Sequence, residues 1–219
     1  MANRDSAEEY VKTICNLGGR QHPIAVNVLS QHLDISPVSA HEMIHKLTEQ
    51  GLVTYQPYRG VMLTPAGCTL AGSVVQRHRL WERFLHDTLG MPWATVHEEA
   101  GRLEHATSPE VAQRLAAYLN YPTDCPHGFP ISGDDCACED DASATTLDDL
   151  SARDFARVVR VSENDPAMLS YVDELGLRPQ TDLEVLEVAP FEGPLTILVD
   201  GKRYVIGKKL ASQIVVEMA

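Results

Sequence analysis

Apolar positions recur along this chain with two different periods, and the changes of period divide it. Near the start, Tyr10, Val11, Ile14 and Leu17 fall at helical spacing within residues 6–18, and the run stops at Gly18-Gly19, so an amphipathic helix is predicted there. The stretch from Ile24 to Tyr55 holds a short and a longer helical pattern separated at Asp34–Pro37. Ser36 is placed to cap the second helix, Pro37 to open it and Gly51 to end it. Two helices joined by a tight turn make a helix-turn-helix candidate. From Leu52 the period becomes two, and the alternation around Pro57–Gly60 predicts a two-stranded hairpin with Arg59-Gly60 at its tip. A helix-turn-helix followed by a hairpin is a winged helix.

Helical spacing returns from about Pro65 to Leu89, where Leu70, Val74, Leu80, Trp81, Phe84 and Leu85 line one face, and breaks at Gly90-Met91-Pro92. Two further helices are expected over about 94–106 and 110–119. This helical middle carries enough apolar surface for self-association, or for the core of a monomer. Residues 121–149 are rich in Pro, Gly, Asp and small side chains and read as a linker or long functional loop. Beyond them FARVVRVSE, LEVLEVAP, LTILVD and KRYVIG are short β-rich runs, with Asp200-Gly201 as a hairpin turn and one helical piece, PAMLSYVDELG. A small barrel of five or so strands fits them. The expected fold is mainly α with β.

The 219 residues carry 18 Lys and Arg against 31 Asp and Glu, a formal charge of -13 that by itself argues against a nucleic acid partner. The charge is uneven. Residues 1–80 hold 7 basic and 6 acidic side chains, so nearly all the excess lies beyond them. No apolar run approaches the roughly 20 residues of a membrane span, and five cysteines with no apolar leader point to a reducing, cytoplasmic setting.

Common enzyme signatures are absent: there is no phosphate-binding glycine loop, nucleophile elbow or His-Glu-x-x-His motif. The middle segment is instead dense in imidazole and carboxylate. His78 and Glu82 are four apart, and His97, Gly101, Glu104 and His105 follow at offsets that share one helix face. Such donors suit Mn, Fe or Zn, although a solvated polar face has the same pattern. His97 and His105 would be separated by about 12 Å along a helix, too far to share one ion. Glu8 and Glu9 are further potential donors, although carboxylates at the start of a helix are also explained by its dipole. Cys125 and His127, with Cys136 and Cys138, could form a closed zinc site, though their spacers are unusually short.

The segments EQGLVTYQPYRGVMLTPAG (49–67), RHRLWERFL (77–85), HEEAGRLEH (97–105) and CPHGFPI (125–131) together resemble the diphtheria-toxin-repressor family, especially its manganese-responsive branch. The resemblance implies a cytoplasmic, homodimeric repressor that binds pseudo-palindromic double-stranded operator DNA when loaded with Mn2+ or Fe2+, with Zn2+ as an alternative. It implies three parts: a winged-helix DNA-binding domain (1–73), a helical dimerisation and metal-binding domain (74–142) and an SH3-like domain of the FeoA type (143–219). A regulatory metal site would use Glu9, His78, Glu104 and His105. An ancillary site would use Glu82, His97, Cys125 and His127 with Glu163. Ser36, Ser39, His41, Glu42 and Lys46 on the second helix of the helix-turn-helix, and Arg59 on the wing, are the expected DNA contacts. Two departures stand out: Gly101 where the family commonly has a Cys or Glu ligand, and Lys12 where some manganese regulators are acidic. The rival readings are a metal-dependent enzyme using the His/Glu cluster, and a structural zinc or metal-buffer protein centred on the four Cys and His donors.

Overall fold

Hydroxyl side chains mark where several helices begin. Ser36 accepts from the Ser39 amide at 3.1 Å, Thr64 from the Gly67 amide at 3.1 Å and Ser108 from the Val111 amide at 3.3 Å, each satisfying a donor that the first helical turn cannot. The computed structural model describes residues 2–131, 144–163 and 165–219. Its helices are α1 (Ala2–Asn16), α2 (Val26–His32), α3 (Pro37–Glu49), α4 (Pro65–Asp87), α5 (Val96–Glu104), α6 (Pro109–Tyr118), α7 (Pro166–Glu174) and α8 (Lys208–Ala211). The strands are β1 (Val53–Gln56), β2 (Gly60–Leu63), β3 (Phe155–Val161), β4 (Asp182–Val188), β5 (Leu195–Val199), β6 (Lys202–Ile206) and β7 (Ile214–Met218).

Two compact units account for these elements. The first takes the chain up to Trp81 together with Gly101–Thr123 and Pro130; the second takes Glu82–Ala100, Asp124–Phe129 and the C-terminal residues to Ala219, so the boundaries fall inside α4 and α5.

In the first unit, Val11 and Ile14 of α1, Leu29 of α2, Ile44 and Leu47 of α3 and Val61 of β2 are fully buried in one cluster. Each such side chain contributes about 1.5–3 kcal/mol by leaving water, so α1 is fastened to the helix-turn-helix by its apolar face. The wing pairs antiparallel with Val53 opposite Leu63. It departs from the expected tip: Tyr58 takes the left-handed backbone (φ 65) and Gly60 already begins β2. Gly60 has φ 120, and a Cβ there would lie 2.3 Å from the Ile24 carbonyl oxygen, so only glycine lets the wing close on the chain before α2.

In the second unit the five strands form one antiparallel sheet in the order β6-β5-β4-β3-β7. Its core gathers Trp93, Leu147, Val158, Leu169, Val185, Ile197 and Ile214. Asp200 and Gly201 both have positive φ, as the tight β5-β6 hairpin requires. β7 completes the strand count; the sequence pattern alone marks off the other four runs and not IVVEM. Among the described residues no helix is long and apolar enough to cross a membrane.

Candidate metal centre

Each unit contains a cluster of ligating side chains. In the first, α1 offers Glu8, Glu9 and Lys12 at helical spacing on one face, and the end of α5 offers Glu104 and His105. His105 meets Glu8 through Nδ1 at 3.0 Å and Glu9 through Nε2 at 3.1 Å, and its Nε2 lies 3.2 Å from Glu104 Oε1. Glu104 is fully buried, with His78 Nδ1 at 2.6 Å from Oε2 and Lys12 Nζ at 2.8 Å from Oε1. Glu9, Glu104 and His105 each present a ligand atom within 4.8 Å of the others. All four residues expected for the regulatory site therefore meet. Glu8, a potential donor at the start of α1, and Lys12, one of the two departures from the family pattern, take part as well. Glu8 is buried against Arg77 at 2.9 Å as well as His105, so the helix dipole is not what places it.

The electrostatics follow from this crowding. The hydrogen bonds that His105 donates to Glu9 and Glu8 outweigh burial and raise its imidazole to about 9. Burial pushes Glu104 up, but His78 and Lys12 together hold its carboxyl below the ordinary range. The Glu9 carboxyl is likewise held down, chiefly by its bond to His105. Glu9, Glu104 and His105 thus stay charged at neutral pH, which is the state an ion would meet.

The second cluster gathers Glu82 from the end of α4, His97 from α5, Cys125 and His127 from the following loop, and Glu163 after β3. Glu82, Cys125, His127 and Glu163 present ligand atoms within 4.8 Å of one another. His97 Nδ1 lies 3.1 Å from Glu82 Oε1 and 3.4 Å from Glu163 Oε1. His127 Nδ1 lies 3.5 Å from Glu82 Oε1 and 3.4 Å from Glu163 Oε2. The loop is shaped by its backbone. Cys125 N donates to Phe129 O at 2.8 Å, Val161 N donates to His127 O at 3.0 Å, and Gly128 (φ 91) runs so close to β3 that a Cβ would be 2.1 Å from the Val159 carbonyl oxygen. His127 Nε2 lies 3.0 Å from the Trp93 carbonyl, which can only accept, so Nε2 carries a proton and Nδ1 is the atom turned toward the carboxylates.

Two buried atoms here, His127 Nδ1 and Glu163 Oε2, have no hydrogen-bond partner among the described residues although they face each other. Buried polar atoms are rarely left so, and an ion between imidazole, carboxylates and thiolate would satisfy them. Burial lowers both imidazoles but the paired carboxylates prevail, raising His97 to about 10 and His127 to about 9. Burial and the charge of Glu82 push Glu163 up, and the two imidazoles more than offset them, leaving it lowered. Cys136 and Cys138, half of the closed zinc site considered above, lie outside the described residues.

The expected DNA-contacting residues lie on α3 and the wing. Ser36, Ser39, Glu42, Lys46 and Arg59 are exposed. His41 is half-buried with its ring edge-on to Tyr55, 5.6 Å between centroids, and links α3 to the wing. His41, Tyr55, Tyr58 and Arg59 line a cleft of about 440 Å³ beside the start of α2. Sequence reasoning missed Val38 and Tyr58, large side chains left in solvent at the start of α3 and in the wing turn. The signal for Val38 was its place directly after Pro37, before the apolar face of α3 begins.

Comparison with known proteins gives the family. Residues 4–61 match the N-terminal DNA binding domain of iron dependent repressors, residues 64–133 their metal binding and dimerisation domain, and residues 145–218 the FeoA domain. The iron-dependent repressor IdeR of Mycobacterium tuberculosis is 32% identical over 208 residues, 90% of each chain. The chain belongs to the iron-dependent repressor family. It is thus a metal-dependent transcriptional repressor and not an enzyme. A manganese-dependent transcriptional repressor in complex with manganese has the same fold at a TM-score of 0.87 and 35% identity, covering 97% of this repressor and 100% of that chain. ScaR with bound Zn2+ follows at a TM-score of 0.80 and 30% identity, covering 97% and 99%. The C-terminal sheet of this repressor is accordingly an SH3-like FeoA domain.

Proposed function

We propose that this repressor binds pseudo-palindromic operator DNA as a homodimer when loaded with Mn2+, through a regulatory site at Glu9, His78, Glu104 and His105 and an ancillary site at Glu82, His97, Cys125, His127 and Glu163. The observation that carries the reading is the convergence of Glu9 from α1 with Glu104 and His105 from the end of α5. α1 is packed into the winged-helix core through Val11 and Ile14, so whatever fixes Glu9 against α5 also fixes α3. When bound, the ion supplies the positive charge that lets these carboxylates share one site. Its selection of an ordered state is a population shift toward the spacing a dimer needs to reach two half-sites. The three functional parts are residues 1–73, 74–142 and 143–219.

Oxygen and imidazole donors dominate both clusters, which suits Mn2+ or Fe2+; Zn2+ competes because it binds such donors more tightly. A groove of about 380 Å³ between α4 and α6, with Leu70, Leu80, Ala112 and Ala116 in its wall and Tyr121 at its edge, is the apolar surface we assign to the dimer. Its test is the molar mass by light scattering, which should be that of two chains.

DNA selected from a random duplex pool in MnCl2 provides the probe. Its affinity should rise on adding Mn2+ and fall on chelation, and an affinity indifferent to every divalent ion would overturn the reading. Val38, exposed at the start of α3, would meet a thymine methyl, and the exposed Lys46 and Arg59 would meet phosphate. Replacing Lys46 or Arg59 by alanine should weaken binding to all sequences alike and lower the salt slope by about 1 each. A variant that changed base preference with the slope intact would reassign that side chain to base readout.

A further inference from the structure

The carboxylates on α1 and α5 already face basic side chains of the same chain. Glu8 meets Arg77 at 2.9 Å, Glu9 meets His105 at 3.1 Å, and Glu104 receives Lys12 Nζ on both oxygens, at 2.8 and 3.0 Å. The Lys12 contact joins residues 92 positions apart, one on α1 and one on α5. It is sheltered: the Lys12 side chain is only 12% exposed and that of Glu104 not at all. The ammonium therefore engages both oxygens of the carboxylate most central to the proposed regulatory site. Gly101 stands one turn before Glu104 and His105, and a Cβ built there would meet nothing within 4 Å, so the helix presents space where a ligand could reach.

We propose that Lys12 is a built-in competitor for the metal position at Glu9, Glu104 and His105. Its ammonium holds the carboxylate an ion would take, so the ion must displace it, and Lys12 thereby sets the metal concentration at which the site fills. The inference rests on the regulatory-site reading above and adds a mechanism of threshold setting to it. Two cations drawn to one buried carboxylate repel each other, and the low local polarity strengthens that repulsion relative to water. The lysine also supplies the α1-to-α5 tie by itself, so filling the site exchanges one tie for another rather than creating it from nothing.

The test is calorimetric titration of MnCl2 into the full-length wild type and into Lys12→Met, Lys12→Gln, Lys12→Arg and Glu104→Gln, with free Mn2+ followed in parallel by electron paramagnetic resonance. Lys12→Met and Lys12→Gln should each tighten one class of Mn2+ sites by about tenfold or more. Lys12→Arg, which keeps the cation, should stay within about twofold of wild type, and the other class of sites should be unmoved throughout. Either neutral variant suffices if the other does not fold, as judged by melting in chelator. Unchanged or weaker Mn2+ binding in a folded neutral variant would overturn the inference. Glu104→Gln separates this from the underlying assignment: it should lose one class of sites, and if it keeps both, the regulatory-site reading fails whatever Lys12 does. Gly101→Glu offers an independent check, since a carboxylate added in that open space should raise Mn2+ affinity further when combined with Lys12→Met; no added gain would show that Gly101 does not face the ion.

Discussion

Glu104→Ala combined with His105→Ala is expected to leave DNA affinity the same with Mn2+ as with chelator, while light scattering still reports the dimer. In the wild type the metal-induced gain should be about 5- to 150-fold, the range of typical couplings between two sites. The whole of it should vanish because the two residues are the α5 half of the cluster and Glu9 on α1 then has nothing to be joined to. The variant will also be less stable. Glu104 is fully buried between His78 and Lys12, and removing one partner of a buried ion pair costs about 3–5 kcal/mol because the remaining charge is stranded. Glu104→Gln with His105→Ala keeps the buried volume at 104 and separates the loss of response from the loss of stability. A normal metal response in either variant would show that these residues do not form the regulatory site.

Metal uptake by the second cluster should release protons, and by the same linkage its affinity should climb with pH. With His97 raised to about 10 and His127 to about 9, both imidazoles are charged at neutral pH in the metal-free protein. A ligating imidazole must be neutral, so an ion held by both displaces about two protons, and affinity should rise up to about 100-fold per pH unit between pH 7 and 9. Calorimetry in buffers of different ionisation enthalpy reads the protons directly. Stability in chelator should run the other way. Raised imidazoles contribute stability that is complete below about 6.5 and is lost as pH climbs through 9 and 10, whereas the lowered Glu163 contributes above its ordinary value of 4.5 and is lost as acid protonates it. The metal-free protein should therefore lose stability on the alkaline side, where Mn2+ restores it. Glu163→Gln should weaken both the Mn2+ effect and the alkaline loss. Heats independent of buffer would show that the ion displaces no protons from these imidazoles.

Much of the architecture was legible because it is written in short-range patterns. Ser36-Pro37 announces the start of α3, Gly51 its end, and Asp200-Gly201 the β5-β6 turn, since caps and turns depend on side chains a few positions away. The carboxylate and imidazole of Glu104 and His105 were visible as neighbours on a helix face. Their partners were not: Glu8 read as a residue suited to a helix start, yet it is buried against Arg77 and His105. Glu163 entered only through the family resemblance, because nothing in SENDP marks an acidic side chain that packs against two imidazoles. β7 is not marked off because the short helix α8, and no Gly, Pro, Asn or Asp turn, leads into it.

The residues by themselves determined the two periodicities, the winged-helix order, the uneven charge and a supply of imidazole and carboxylate in the middle of the chain. Tertiary structure alone decided how that supply is divided: His97 joins Glu82, Cys125, His127 and Glu163, while His105 joins Glu8, Glu9 and Glu104. It also decided that Lys12 sits on Glu104. The reason is physical. Local pattern encodes which face of an element is apolar, but which polar groups meet depends on how distant faces pack, and a contact across 92 positions leaves no period in the sequence. The same acidity that first argued against a DNA partner is in part the material of the two clusters, held charged by imidazole, lysine and arginine until an ion competes for it.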